Sequence, residues 1–219
     1  TTVTTDGQQW EAKKGLYFGG NRYQPPTGTH HWKVICLDLE TGKVIWEQTP
    51  LTGKPRGSIH IKNSYASETP ITDGERVYAY FGNHGLFCYD MAGKQLWKKE
   101  WPAVKTRYGW GLAASSVLHD GRLYIVNDNE EQSFLVALDA KTGKQIWRTA
   151  RDDEKSNWST PFIWQNKLRT EIITPGTRKN RAYNLEGKLL YQFGGSSSIT
   201  IATPYAKFGL LYITSGYVG

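Results

Sequence analysis

A chain of 219 residues with 13% aromatic content, nine Trp and 23 Gly can build one sizeable core and has the turn density of a β protein. No run approaches ~18 consecutive apolar residues, which excludes a membrane-spanning helix. The net charge of +7 comes from 27 basic residues scattered among 20 acidic ones with no recognition motif, so a cationic surface is expected and nucleic-acid binding is not.

Thr1 carries no signal peptide, and a chain without an initiator Met reads as a mature form or an excised piece. Residues 1–5 are β-branched and read as a strand separated from its partner. Residues 6–31 form a long loop with Gly19-Gly20, Pro25-Pro26 and His30-His31, and a loop of that length points to a function or an interface. A competing register makes Leu16-Tyr17-Phe18 a strand. Residues 32–38 and 44–48 make a hairpin, and 49–63 read as a linker.

Residues 67–81 follow as strand, Asp73-Gly74 turn and strand. Residues 86–90 and 95–99 complete four strands. The next unit has strands at 114–118, 122–127, 134–139 and 145–149, with a turn at Asp120-Gly121. A further unit has them at 159–163, 170–174, 181–184 and 189–193, and 202–205 with 209–214 open a fifth.

One pattern recurs through these units. Leu37-Asp38-Leu39-Glu40-Thr41-Gly42-Lys43-Val44-Ile45-Trp46 returns as Tyr89-Asp90-Met91-Ala92-Gly93-Lys94-Gln95-Leu96-Trp97. It returns again as Leu138-Asp139-Ala140-Lys141-Thr142-Gly143-Lys144-Gln145-Ile146-Trp147, and in decayed form as Tyr183-Asn184-Leu185-Glu186-Gly187-Lys188-Leu189-Leu190-Tyr191. Each copy is a strand ending in Asp or Asn, a turn closed by Gly, and a strand running into a large aromatic. Four short antiparallel strands every ~40–50 residues are the signature of β-propeller blades. The expected fold is therefore all-β, with blade units at 1–50, 64–101, 112–150, 157–195 and a partial one at 199–219. Counted this way, residues 1–219 are one propeller domain or fragment with about four blades' worth of strands, an arc of a larger, seven- or eight-bladed ring. The recurring Trp is expected to pack between blades, where a large ring buries on the order of 150–250 Å².

Cys36 and Cys88 hold the same register, two residues before the turn Asp. Equivalent positions on neighbouring blades lie ~10 Å apart, beyond disulfide reach, so both read as small buried hydrophobes. His30, His31, His60, His84 and His119 lack metal-ligand spacing. Asp128-Asn129-Glu130-Glu131 lacks the alternation and Gly of a calcium loop and reads as a solvated turn. No Gly-x-Ser-x-Gly elbow or phosphate loop is present, and no nucleophile has a recognisable base.

In a propeller the segments entering the innermost strands open onto the axis. Axial candidates for cofactor or ligand binding are therefore His60, Asn63, Arg107, Tyr108, Trp110, Asn157 and Trp158, which mix aromatic with basic or amide groups as a small polar ligand requires.

The repeat resembles the quinoprotein-type propeller family named after pyrroloquinoline quinone, whose docking motif runs Ala-x-Asp-x-x-Thr-Gly-x-x-x-Trp. Ala137, Asp139, Thr142, Gly143 and Trp147 match it fully. Asp38, Thr41, Gly42 and Trp46 match with Cys36 at the Ala position. Asp90, Gly93 and Trp97 match with one residue deleted, and Asn184, Gly187 and Tyr191 are the weakest copy. The resemblance covers nearly the whole chain outside residues 6–31, and it extends to secreted bacterial propellers similar to the outer-membrane assembly lipoprotein BamB. It implies a periplasmic or secreted, non-catalytic scaffold for a protein partner, associated with the outer membrane. It equally implies quinoprotein oxidoreductases, which hold pyrroloquinoline quinone and Ca²⁺ on the axis beside a disulfide of adjacent cysteines; this chain has no adjacent cysteine pair. Trp and Tyr at loop tips raise a third expectation, carbohydrate binding. The scaffold is the leading expectation, because the repeat is intact and no catalytic constellation accompanies it.

Overall fold

The computed structural model describes residues 1–7, 27–60 and 62–216. The chain divides into two compact units, residues 1–112 and 113–219, each with its own sheets and core.

In the first unit, β1 (Thr2–Thr5), β2 (His30–Leu37) and β3 (Val44–Gly53) form one antiparallel sheet in chain order. The second sheet is β4 (Ile71–Thr72), β5 (Arg76–Tyr80), β6 (Leu86–Asp90) and β7 (Gln95–Lys99). In the second unit, β8 (Val117–His119), β9 (Arg122–Asn127), β10 (Phe134–Asp139) and β11 (Gln145–Ala150) form one four-stranded sheet. β12 (Phe162–Gln165), β13 (Thr170–Pro175), β14 (Lys179–Tyr183) and β15 (Leu189–Gly194) form another, followed by the hairpin of β16 (Tyr205–Lys207) and β17 (Leu210–Tyr212). These meandering antiparallel sheets are β-propeller blades, as the repeat implied. The middle strands β6 and β10 are buried along nearly their whole length, whereas the last strands β7 and β11 alternate, because only the middle strands have neighbours on both edges and both faces.

The docking motif has one geometry in every copy. Cys36, Cys88, Ala137 and Ala182 sit directly across the ladder from Trp46, Trp97, Trp147 and Tyr191, and a register shift follows immediately after each small residue. Opposed Cβ atoms lie about 4.5–5.5 Å apart, so a small residue there leaves the ring free to lean out of its own sheet. The Asp38 carboxylate accepts from the Thr41 backbone N–H at 2.8 Å and its hydroxyl at 2.6 Å, and Asp139 repeats this on Thr142 at 2.7 and 2.6 Å. The shortened copies use Asp90 on the Ala92 and Lys94 amides, and Asn184 on those of Glu186 and Lys188.

What the turn supports is the neighbouring blade. Trp46 donates its indole N–H to the Met91 carbonyl at 2.9 Å, and Trp147 donates to the Leu185 carbonyl at 2.9 Å. In both pairs the ring lies on the next turn's glycine: a Cβ built on Gly93 would stand 2.7 Å from the Trp46 ring, and one on Gly187 would stand 2.6 Å from that of Trp147. Thr149 adds a hydroxyl bond to the Gly187 carbonyl at 2.8 Å. Tyr191 departs from this role, its hydroxyl donating to Glu171 within its own blade at 2.6 Å.

Several boundaries differ from expectation. Residues 1–5 are not separated from a partner: Thr2–Thr5 pair with residues 30–33 of β2. Residues 49–53 belong to β3 rather than to a linker, since Leu51 pairs with Trp32 and Gly53 with His30. His30 and His31 likewise belong to a strand and not to the loop of 6–31, whose residues 8–26, with the alternative strand at Leu16-Tyr17-Phe18, lie outside the described residues. The first strands start later than the β-forming residues do, at Ile71, Val117, Phe162 and Tyr205. Pro70, Pro161 and Pro204 have no N–H for a ladder. Cys88 is fully buried, but Cys36 is only partly so; both are free thiols. Asp128 and Asn129 do not form a solvated turn, for each is 1% exposed.

Two glycines of the first unit separate docking from turn strain. Gly42 and Gly93 both have positive φ, +69° and +85°, but only Gly93 lies beneath an indole. Gly42→Ala is expected to cost about 1 kcal/mol of backbone strain and Gly93→Ala about 3 kcal/mol, by urea unfolding, because the second methyl must also displace Trp46.

Candidate functional site

The segments that lead into the innermost strands are irregular, and their backbone groups must find partners in one another. In the first unit, residues 54–65 and 104–112 pair in this way. The His60 N–H donates to the Trp110 carbonyl at 3.0 Å. Asn63 Nδ2 donates to the carbonyls of Trp110 and Leu112 at 3.2 and 3.4 Å, and Ser58 Oγ to that of Gly109 at 2.8 Å. The His60 and Trp110 rings meet edge-on at 5.0 Å, and Tyr108, at a positive φ of 56°, packs its ring 5.1 Å from Trp110. Four sequence candidates, His60, Asn63, Tyr108 and Trp110, thus converge in one cluster. Arg107 lies in the same short turn, residues 107–109.

Beside this cluster is a small pocket between residues 56–59, Ser64, Tyr65, Leu112 and the β5–β6 turn at 81–84. A wider, open hollow adjoins it through Ile59, Ser64 and Tyr65. The turn is tied down by Asn83, whose amide bonds to the Arg56 carbonyl at 3.0 Å and to the backbone of Val104 at 3.1 and 3.0 Å. His84 packs its ring 4.1 Å from Trp32, and its Nε2 accepts the Arg56 N–H at 3.3 Å. Burial and the nearby Arg56 push His84 down to about 4, so it is neutral at pH 7.

Glu68 also lines this pocket, and no motif had singled it out. It is 3% exposed, its Oε1 has no hydrogen-bond partner, and burial pushes its carboxyl up to about 8. It lies three residues before the first strand of its blade. The same offset holds Ala114, Ser159 and Ala202 in the other blades, and that comparison is the signal by which the sequence could have revealed it.

In the second unit, Asn157 and Trp158 are both buried. Trp158 is 8% exposed and its N–H donates to the Thr200 carbonyl at 2.8 Å, repeating the linker pairing of His60 with Trp110; buried this deeply, it offers no face for sugar stacking. Asn157 donates to Asp128. Asp128 in turn receives Arg151 through two bonds of 2.8 Å, with both side chains fully buried. Arg151 continues to the Thr174 and Tyr183 hydroxyls at 2.8 and 2.9 Å, joining two blades. Although burial opposes its charge, the Asp128 carboxylate holds the Arg151 guanidinium firmly protonated. A second group binds Glu154 to Arg181 and to the Thr177 N–H, with Asp153 between Arg181 and Lys179.

These commitments bear on a quinone and Ca²⁺. The acidic groups Asp128 and Glu154 are held by arginines, and no three His, Cys, Asp or Glu side chains converge among the described residues. With two separated free thiols besides, the donor set does not fit that pair of groups.

A family model described as "Outer membrane protein assembly factor BamB" matches residues 13–104 and 88–208. The protein of that name from Kangiella koreensis is 28% identical over 123 residues, covering 55% of this chain and 28% of the relative. The quinohemoprotein alcohol dehydrogenase ADH IIB of Pseudomonas putida is 25% identical over 179 residues, covering 76% of this chain and 26% of that enzyme. Among solved structures, a europium-containing methanol dehydrogenase superposes with a TM-score of 0.53 at 13% identity, over 77% of this chain and 40% of that one, a likeness of fold. The chain spans less than a third of the length of these curated relatives.

Two outcomes follow from the buried charges. Arg151→Met is expected to cost about 3–5 kcal/mol in chemical unfolding because Asp128 is left buried without its cation, and Asp128→Leu added to it should recover most of that loss. Glu68, faced across the pocket by Arg56, Tyr65 and His84, makes stability fall with rising pH. Its carboxyl is raised from an ordinary 4.5 to about 8, so its contribution is complete below pH 4.5 and lost as pH rises through 8, on the order of 3–5 kcal/mol at full ionisation. His84 acts in the opposite sense, its contribution present above 6.5 and lost as pH falls through about 4. Thermal unfolding of Glu68→Gln should lack the parent's decline between pH 4.5 and 8 while keeping the acid limb.

Proposed function

The chain belongs to the family described as outer membrane protein assembly factor BamB, and from that premise we propose that it is a non-catalytic β-propeller scaffold for a protein partner in the bacterial envelope. The observation that carries this reading is the contrast between its two kinds of surface. Polar side chains around the linker segments are tied to protein partners, Asn63 and Asn83 to backbone carbonyls in the first unit and Arg151 to Asp128 in the second. The outer strands, by contrast, expose aliphatic side chains at a repeated position. Ile45, Leu96 and Ile146, each one residue before a docking Trp, are 61%, 44% and 45% exposed.

The exposed apolar side chains gather most densely on the outer hairpin of the first sheet, where Leu37 pairs across the ladder with Val44 and both are exposed together with Leu39 and Ile45. Large apolar side chains left exposed together on one hairpin support contact with a partner there. Names of relatives such as that of Kangiella koreensis support an outer-membrane setting, hence a periplasmic or secreted location for this chain. Among the described residues no helix is long and apolar enough to cross a membrane.

The oxidoreductase reading finds support in the names of the dehydrogenase relatives, but the donor groups it needs are engaged elsewhere. A photo-crosslinking residue at Leu39 or Ile45 of the full-length protein should give one discrete protein adduct in the cell envelope, and the same residue at Leu168, exposed in the second unit, should not. Equal labelling from all three positions, or dye-linked alcohol oxidation on adding the quinone and Ca²⁺, would overturn the scaffold reading.

A further inference from the structure

The pocket beside Glu68 is built around a carboxyl whose second oxygen has no partner within the protein. The three equivalent positions in other blades show that the fold asks only for a small residue there: Ala114, Ser159 and Ala202 lie at the same distance from their first strands, and Ala114 and Ser159 are buried as Glu68 is. A buried carboxyl in such a place lowers stability rather than raising it. The local backbone nevertheless accommodates it. Gly82 has a φ of +46°, and any Cβ there would stand 2.9 Å from Glu68 Oε1, so the turn has room for the carboxyl only because residue 82 has no side chain.

The other polar groups around the pocket are engaged. The Tyr65 hydroxyl donates to the Gly57 carbonyl at 2.7 Å, Asn83 is held by Arg56 and Val104, and His84 Nε2 accepts from the Arg56 N–H. Arg56, the lining cation, has its guanidinium 3.7 Å from Glu100. The nearest donors to the carboxyl are its own backbone N–H and that of Gly82, and neither closes a hydrogen bond to Oε1. Ile59, Tyr65, Phe81 and Leu112 give apolar and aromatic surface to a wall that also carries Ser58 and Ser64. A carboxylate beside aromatic rings complements a compact organic cation, because ion pairing offsets the carboxylate's burial and the rings favour positive charge.

We propose that this pocket binds a small primary ammonium ion, with the Glu68 carboxylate as its counter-ion. An alcohol of the same shape binds less well, since it brings a donor without the charge that offsets desolvation. Because burial keeps the Glu68 carboxyl protonated in the free protein at pH 7, cation binding expels a proton to solvent.

The test is calorimetric titration of the full-length protein with n-butylammonium chloride, in phosphate and in HEPES, from pH 5 to 8. The expected result is saturable binding with close to one proton released per ligand at pH 7, and an affinity rising about tenfold per pH unit between pH 5 and 7. Butan-1-ol should give no saturable heat. Glu68→Ala, which places here the residue that Ala114 is in another blade, should abolish binding while unfolding at or above the parent's midpoint. Absence of saturable butylammonium binding, binding without proton release, equal binding of butan-1-ol, or unchanged binding by Glu68→Ala would each overturn the proposal. A midpoint for Glu68→Ala well below the parent's would do so as well, by making Glu68 a structural residue.

Discussion

An indole laid on a glycine holds neighbouring blades together. Trp46 on Gly93 and Trp147 on Gly187 bury a large apolar face and satisfy the indole N–H on a carbonyl of the same turn, so packing and hydrogen bonding select one geometry. The turn glycine carries two demands at once, a positive φ and a bare Cα face, and no other residue meets both. The turn Asp fixes the loop that presents this glycine, and the small residue opposite the Trp lets the ring lean outward. A motif with gaps between its signature residues is thus one contact written twice, once as knob and once as socket.

Linker segments extend the same economy with different chemistry. Between β3 and β4 and after β7 they pair backbone to backbone, with Asn63, Ser58 and Asn83 capping what remains. In the second unit a buried Arg151–Asp128 pair joins two blades, and its hydrogen bonds extend to Thr174, Tyr183 and Asn157. Such a pair contributes specificity of assembly more than net stability, because its mutual attraction is largely offset by desolvation. Glu68 departs from this thrift as a buried carboxyl left incompletely satisfied, and polar groups of that kind are where fold and function diverge.

The blade grammar was legible in the chain read residue by residue. Strands β6, β7, β9 and β10 fall where their apolar runs and Asp-Gly turns put them, and the docking role of Trp46 and Trp147 was legible because both motif and partner recur at a fixed interval. Local chemistry suffices for such features, since a hairpin turn and its flanking alternation lie within ten residues of each other. The tertiary structure alone decided the rest. Residues 1–5 found their ladder partner some 30 positions away, and Asp128, in a segment polar in every residue, was buried because Arg151 lies 23 positions further along and reaches back to it. His60 and Trp110 were foreseen individually but not as a contact, and Glu68 was not foreseen at all. Burial of a polar group depends on which distant groups close over it, and a chain read in order shows its spacing but not what packs against it.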